Sequence, residues 1–245
     1  MELRKLDDIA KQDNVYTALL YCPPGVGKST AIGLIAEASE GNTLVLDVDR
    51  TITKTLAKKE IVKDTSKVFV EQIDNIDTFE AWTKTLLELG ELKKSGQFEA
   101  ANIKTIAVDN ISELERCILS DLGSKGKNKG VPAMADYQYM QFKLVNSLRY
   151  MKTLGVNIIW TAWEDSKDFT HPDGTQYTRL VPKVSAKIVD NICGLCDVVG
   201  KIFVNKEGQH GILLEATQNI YAKNQIDDRK ACKVEDFGKF NGGKE

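Results

Sequence analysis

The stretch Cys22-Pro23-Pro24-Gly25-Val26-Gly27-Lys28-Ser29-Thr30 decides the fold. It follows an apolar run at residues 15–21 that predicts a buried strand, and it precedes a segment at residues 31–38 that predicts a helix. Loops that hold phosphate groups have this context, because the N–H groups of the turn and the positive end of the next helix both face the anion. The sequence therefore predicts a site for a nucleoside triphosphate.

The residue types of this loop suit that chemistry. Glycines at 25 and 27 allow the backbone to approach phosphate oxygens, Lys28 can reach the β- and γ-phosphates, and the Ser29 hydroxyl can complete the shell of a Mg²⁺ ion. Cys22 stands where the pattern G-x-x-x-x-G-K-[ST] has its first glycine. A glycine-rich turn with an unrelated lysine is the alternative. The predicted nucleotide contacts are Pro24, Gly25, Val26, Gly27, Lys28, Ser29 and Thr30.

Composition sets the class of protein. The chain has 245 residues, of which 42% are hydrophobic and 28% charged, and this favours one α/β domain over residues 1–245 with a short N-terminal segment, 1–14, and a tail from about 229. A net charge of −2 excludes a uniformly basic protein but not a local basic patch. The apolar runs are too short for a membrane span or a signal core, so a cytoplasmic protein without membrane partners is expected.

Strand and helix signals alternate along the chain. Predicted strands after the first lie at 43–50, 67–71, 103–109 and 156–161, and predicted helices after the first lie at 76–94, 111–122 and 135–154. Beyond residue 165 the pattern changes to hairpins, with Pro172-Asp173-Gly174 as a turn and strands near 197–204 and 211–216. The predicted fold class is α/β, with a mostly parallel sheet between helices and antiparallel strands at its C-terminal end.

Acidic residues close two of the predicted strands. In an open α/β sheet the ligand lies beyond the carboxyl ends of the strands, so these positions are candidate site residues. Asp109 is the expected carboxylate of the Mg²⁺ shell, and an N-cap of the next helix is the alternative. Asp49 can accept a proton from the attacking water as a general base, or it can be a turn carboxylate paired with Arg50.

Five cysteines, an odd number, fit a reducing compartment better than a disulfide framework. Cys193-Gly194-Leu195-Cys196 is the one spacing typical of metal or redox sites. A structural zinc needs further ligands, and the two histidines, His171 and His210, lie in unrelated segments. Two small buried residues on a helix that ends before a strand are therefore the favoured interpretation.

With these residues in hand, the chain resembles RecA-like ATPase cores, and among them the phage nucleotide-binding proteins of single-strand annealing and recombination. The resemblance spans residues 15 to about 228 and depends on the phosphate loop, Leu46-Asp47-Val48-Asp49, Ile106-Ala107-Val108-Asp109-Asn110, Asp197-Val198-Val199-Gly200-Lys201 and Tyr221-Ala222-Lys223-Asn224. It implies an ATPase that uses ATP and Mg²⁺, with Lys28, Asp49 and Asp109 in catalytic roles. It also implies a polar γ-phosphate sensor near Trp163 or Glu164.

The same resemblance implies two loops that bind single-stranded DNA. The matching stretches are residues 123–130, which offer glycines and lysines for backbone phosphates, and residues 164–178, which mix basic and aromatic side chains. A solvated charged loop and an ordinary hairpin with cross-strand pairs are the respective alternatives. The predicted DNA contacts are Lys125, Lys127, Lys129, Lys167 and Arg179.

RecA-like proteins place the nucleotide between subunits, so the resemblance also implies self-association in a filament or ring, with a lysine or arginine supplied in trans. Lys183, Lys187 and Lys201 lie in the matching region. The functional hypothesis is an ATP-dependent, DNA-stimulated protein of phage-type recombination or annealing, working alongside a single-strand-binding protein. A phosphate-loop ATPase that loads or remodels proteins, and a nucleotide-gated module with little hydrolysis, are the alternatives.

Overall fold

A ten-stranded sheet forms the centre of the molecule. The structure, a computed structural model, describes residues 15–171 and 173–240. The strands are β1 (Thr17–Cys22), β2 (Asn42–Asp47), β3 (Val68–Gln72), β4 (Ile103–Asp109), β5 (Asn157–Thr170), β6 (Gln176–Pro182), β7 (Val198–Val204), β8 (His210–Leu213), β9 (Lys223–Asn224) and β10 (Ala231–Lys233).

The strand order is β10-β8-β7-β1-β5-β4-β2-β3, with β6 paired to β5 and β9 paired to β7. Every pairing from β7 through β1, β5, β4 and β2 to β3 is parallel, whereas the pairings of β6, β8, β9 and β10 are antiparallel. All six residues of β1 are buried, as expected of a central parallel strand covered on both faces. The predicted parallel sheet with antiparallel C-terminal strands is confirmed.

Helices cover both faces of the sheet. They are α1 (Lys28–Ala38), α2 (Ile52–Leu56), α3 (Thr78–Lys94), α4 (Gln97–Ala100), α5 (Ile111–Lys125), α6 (Met134–Lys152) and α7 (Val189–Leu195). One core lies between the sheet and the longer helices and includes Trp82, Leu114, Leu144 and Trp160. The other lies beneath α1 and includes Leu20, Ile32 and Ile159. No helix among the described residues is long and apolar enough to cross a membrane.

Two boundaries differ from the sequence prediction in ways that affect the site. The fifth strand was predicted to end at Thr161, but β5 continues to Thr170 because its second half pairs with β6 from Glu164↔Pro182 to Thr170↔Gln176. We call this two-stranded antiparallel extension the ribbon. The helix after Asp109 was predicted to end near residue 122, but α5 extends to Lys125.

Candidate functional site

The phosphate loop turns directly from the end of β1 into α1. Cys22 is the last residue of β1 and is fully buried, so the turn begins at Pro23, and the N–H of Val26 donates to its carbonyl at 3.3 Å. Gly25 and Gly27 have φ angles of 79° and 120°, in the left-handed region that favours glycine. Gly27 is also the N-cap of α1, so the first N–H groups of that helix open onto the loop.

Ser29 and Asp109 meet although they are far apart in the chain. The Ser29 hydroxyl donates to Oδ2 of Asp109 at 2.7 Å, and Oδ1 of the same carboxylate accepts from the Thr161 hydroxyl, also at 2.7 Å. Thr161 is fully buried on β5. Both oxygens of Asp109 are therefore fixed, one by the phosphate loop and one by the neighbouring strand.

Asp109 is not the N-cap of the following helix. Asn110 has that position, and its side-chain oxygen accepts from the N–H of Glu113 at 2.9 Å. The carboxylate of Asp109 is consequently free to face the phosphate loop, and the alternative interpretation of this residue as a helix cap is wrong.

A cluster of carboxylates lies at the same edge of the sheet. Asp47 ends β2 opposite Asp109 in the β2–β4 register, and Asp49 follows two residues later. Burial, reinforced by Asp109 and Glu113, raises the pKa of Asp49 to about 7, and the Lys28 ammonium acts in the opposite direction. Burial also raises the pKa of Asp47. Four carboxyl side chains, those of Asp47, Asp49, Asp109 and Glu113, thus lie close together at this edge.

The residues present fit a Mg²⁺ ion. Asp47 Oδ2 and Asp49 Oδ1 are buried without a hydrogen-bond partner among residues 15–171 and 173–240, which is costly unless another group satisfies them. In the described part of the chain no three His, Cys, Asp or Glu side chains form a metal cage. Magnesium commonly takes only one or two protein ligands beside waters and substrate phosphates, as Ser29 and Asp109 would provide.

His210, which had no predicted role, lies against the phosphate loop. It opens β8, on the opposite side of β1 from Asp109. A Cβ added to Gly27 would lie 2.5 Å from its Nε2 atom. No local sequence signal could have found this contact, because it depends on the pairing of β8 with β7 and of β7 with β1.

Replacing Gly27 with alanine is expected to weaken ATP binding at least about tenfold, because the methyl group would collide with His210 and the φ of 120° is strained for any other residue. Titration with a fluorescent ATP analogue measures the effect. Gly194→Ala is the matched control, since a Cβ there meets nothing within 4 Å. Wild-type affinity in Gly27→Ala would contradict this geometry.

Comparison with known proteins identifies the family. Residues 14–226 match the AAA domain family, a stretch that includes the phosphate loop, Asp49, Asp109 and Thr161. The chain belongs to this family. As an AAA domain it has the phosphate-loop ATPase core that its sequence predicts.

No curated protein matches the sequence of this AAA domain. Among solved structures it is similar to a KaiC-like protein of Pyrococcus horikoshii OT3, with a TM-score of 0.47 and 14% identity over 83% of this chain and 79% of that one. It is also similar to an ATPase of the type III secretion system of pathogenic bacteria, with a TM-score of 0.46 and 16% identity over 81% of this chain and 55% of that one. A third similar structure is an ATP synthase subunit of Nanoarcheaum equitans, with a TM-score of 0.46 and 11% identity over 78% of this chain and 46% of that one.

Lys201 of this AAA domain is held within its own chain. It forms an ion pair with Glu164, and both side chains are mostly buried. Its ammonium also lies 5.9 Å from the centre of the Tyr21 ring, just before the phosphate loop. The prediction that Lys201 could reach a neighbouring subunit does not fit this position. Glu164, one of the two predicted sensor positions, is engaged by the same pair.

Trp163, the other predicted sensor position, is half-buried, and the Arg116 guanidinium lies 5.5 Å from the centre of its ring. The residue of β5 that donates to Asp109 is instead Thr161, two residues earlier. The sequence shows only a hydroxyl within an otherwise apolar run; the pairing of β5 with β4 places it beside Asp109.

The predicted DNA contacts at the end of α5 and in the loop after it divide into two groups. Lys125 belongs to the helix, and its ammonium lies 2.9 Å from Asp121, 3.2 Å from Asp77 and 3.6 Å from Glu80. These carboxylates raise the pKa of Lys125 and offset its positive charge within the protein. Lys127 and Lys129 are exposed on the loop that follows.

The predicted residues of the second DNA stretch share one face of the ribbon. Lys167 is paired with Arg179 and Phe169 with Tyr177, so their side chains alternate with those of the opposite face. The rings of Phe169 and Tyr177 stack at 5.5 Å, and the Arg179 guanidinium lies 5.3 Å from the first and 5.4 Å from the second. The opposite face carries Ser166, Asp168, Thr170, Gln176 and Thr178.

Cys193 and Cys196 lie at the end of α7 and are both buried. Burial raises the pKa of Cys193 to about 12 and raises that of Cys196 further. These thiols are protonated packing residues, as the sequence favoured.

Proposed function

We propose that this chain is a Mg²⁺-dependent ATPase that binds single-stranded DNA and acts in phage-type recombination or annealing. The observation that carries the proposal is the path of β5. Thr161 on this strand donates to Asp109 in the nucleotide site, and Lys167 and Phe169 on the same strand form the basic and aromatic face of the ribbon. The hydrogen bond from Thr161 to Asp109 and the backbone of β5 therefore connect the nucleotide site to a surface suited to DNA.

The nucleotide site supplies what ATP hydrolysis needs. The loop N–H groups and the Lys28 ammonium bind the phosphates. Ser29 and Asp109 would hold a Mg²⁺ ion, which would offset the charge of the phosphates. Asp49 takes a proton from water as the water oxygen bonds to the γ-phosphorus. The bond from that phosphorus to the β–γ bridging oxygen breaks, and ADP and phosphate result.

The ribbon suits single-stranded nucleic acid through two kinds of contact. Phe169 is 37% exposed, so a base can stack on its ring, and Lys167 and Arg179 can follow backbone phosphates. Lys127 and Lys129 provide further phosphate contacts. Because the ribbon continues β5 past the carboxyl ends of its neighbours β1 and β4, it starts at the same edge of the sheet as the phosphate loop.

Self-association completes the proposal. Lys183 and Lys187 are exposed on the stretch between β6 and α7, so either can reach the γ-phosphate of a neighbouring subunit in a filament or ring. Mg²⁺-ATP then closes the contact between subunits and orders the DNA-binding segments, and hydrolysis releases them.

ATP turnover with and without a single-stranded oligonucleotide at low salt tests the proposal. The variant Lys28→Ala is the control for turnover that does not depend on the phosphate loop. Stimulation by DNA that disappears in the variant is the expected result. Absence of DNA binding at low salt, with and without ATP, would overturn it.

The double variant Lys167→Gln, Arg179→Gln is expected to bind single-stranded DNA more weakly and with a shallower salt dependence. Each lost phosphate contact reduces the slope of log K against log salt by about 0.7, so a decrease of about 1.4 is expected. Fluorescence anisotropy over a salt series measures it. Lys58→Gln, Lys59→Gln is the matched control, since both lysines are exposed and lie between α2 and β3, outside the ribbon. An unchanged slope in the ribbon variant would contradict the assignment.

A second candidate is an ATPase that acts on proteins. An exposed apolar stripe on α6 favours it, since Met134, Tyr139 and Phe142 are 71%, 62% and 70% exposed. Against it, the described residues after β7 form strands and a single 3-10 turn, with no helical lid up to residue 240. Turnover that does not respond to DNA would favour this candidate.

A further inference from the structure

Asn110 is fixed at both ends of its side chain. It is fully buried, and its Oδ1 atom accepts from the N–H of Glu113 at 2.9 Å as the N-cap of α5. A backbone N–H can only donate, so the oxygen of the amide must face the helix. The NH₂ group therefore faces the other way, where Nδ2 donates to Oδ2 of Asp49 at 2.8 Å.

This contact orients the carboxylate of Asp49. Oδ2 is occupied by Asn110, and Oδ1 is buried with no partner in the described residues. The N–H of Asp49 also donates to the carbonyl of Asp109 at 3.4 Å, and this bond fixes the backbone of Asp49. Only one oxygen of Asp49 is thus available as a proton acceptor, and its direction is set.

We infer that Asn110 is the positioning residue for the general base of the ATPase reaction. The inference rests on the proposed hydrolysis and on the role of Asp49 in it. Asn110 does not touch the nucleotide; it holds one oxygen of Asp49 so that the other meets the water. An amide suits this position because it both accepts from the helix and donates to a carboxylate, which no aliphatic or acidic side chain of this size does.

The variant Asn110→Asp separates positioning from a structural role. Aspartate caps helices as well as asparagine does, so α5 keeps its N-cap, but an ionised carboxylate cannot donate to Asp49 and repels it. We expect kcat to fall about 100-fold, a size typical of a misplaced catalytic group. The Kd of a fluorescent ATP analogue should stay within about threefold, and the melting temperature should show a folded protein. Asn110→Ser, a capping residue without charge, provides a second variant with the same expected kcat loss.

Combining the substitution with Asp49→Asn tests whether Asn110 acts through Asp49. If it does, Asn110→Asp causes no further loss of single-turnover rate once Asp49 is replaced. A similar loss in both backgrounds, or a loss of nucleotide affinity as large as the loss of kcat, would overturn the inference. Wild-type kcat in both Asn110 variants would overturn it too while leaving the proposed function intact. A wild-type chain that shows no turnover would overturn the proposed function and the inference together.

Discussion

Replacing Lys28 with alanine is expected to reduce ATP turnover by about 100-fold to 1,000-fold, the range found when a preorganised charge partner of a reacting group is removed. Lys28 is the first residue of α1 and only 7% exposed, and its ammonium is close enough to Asp49 to lower the pKa of that carboxyl. It is thus directed into the site rather than toward solvent. Phosphate release at saturating ATP measures the loss.

The affinity for ATP should fall as well, since Lys28 contacts both the β- and the γ-phosphate in the proposed complex. The control is Lys54→Ala, which removes the same charge from an exposed position on α2. Turnover in Lys28→Ala within a few-fold of the wild type would show that the phosphates bind elsewhere.

Replacing Asp49 with asparagine is expected to abolish most turnover and at the same time to make the protein more stable. A general base contributes about 100-fold to 10,000-fold to a rate, and an amide cannot take the proton. The new side chain still offers an oxygen to Asn110, so the local structure should persist. Nucleotide affinity should change little, because Asp49 is assigned to the water rather than to the phosphates.

The gain in stability follows from the pKa of Asp49, which burial raises from 3.8 to about 7 in the chain without nucleotide or Mg²⁺. Between about pH 4 and 7 the folded state binds more protons at this residue than the unfolded state, so stability falls as pH rises through that window. The full shift corresponds to about 4 kcal/mol. Because part of the side chain faces solvent, we expect about 2 kcal/mol for Asp49→Asn at pH 8, or roughly 5 °C in melting temperature.

Thermal unfolding at pH 8 and pH 5.5 tests whether Asp49→Asn stabilises the protein and whether the gain grows with pH. The advantage of Asp49→Asn should be largest at pH 8 and about half as large at pH 5.5, where the folded wild type is already protonated at this residue. Asp228→Asn, which makes the same substitution at an exposed position, is the matched control. A variant less stable than the wild type at pH 8 would contradict the assigned environment of Asp49.

The sequence anticipated the parts of the site that local patterns encode. The strand, loop and helix around Lys28 follow from one continuous stretch, and an aspartate at the end of an apolar strand is a local signal too. The predicted fold class is confirmed by the sheet order. The structure also brings the Ser29 hydroxyl to 2.7 Å from Asp109, two residues that the sequence had assigned to one ion.

What the sequence could not give depends on pairings between distant segments. The family resemblance places the γ-phosphate sensor near Trp163. The contact of Thr161 with Asp109 follows instead from the β4–β5 register. The sequence predicts a hairpin beyond residue 165, but it does not show that β5 continues without a break from the sheet into the ribbon. The partner of Lys201, Glu164, lies far away in the chain, and so does Asp77, one partner of Lys125. The nearest partner of Lys125, Asp121, lies only four residues before it on the same helix.

The most direct test of the account is a single-turnover measurement of phosphate release at saturating Mg²⁺-ATP, comparing the wild type with Asp49→Asn. Binding of a fluorescent ATP analogue is measured in parallel. The account predicts that both proteins bind the analogue with similar affinity and that only the wild type releases phosphate at an appreciable rate. Equal phosphate release from both proteins, or binding without release in the wild type, would contradict it.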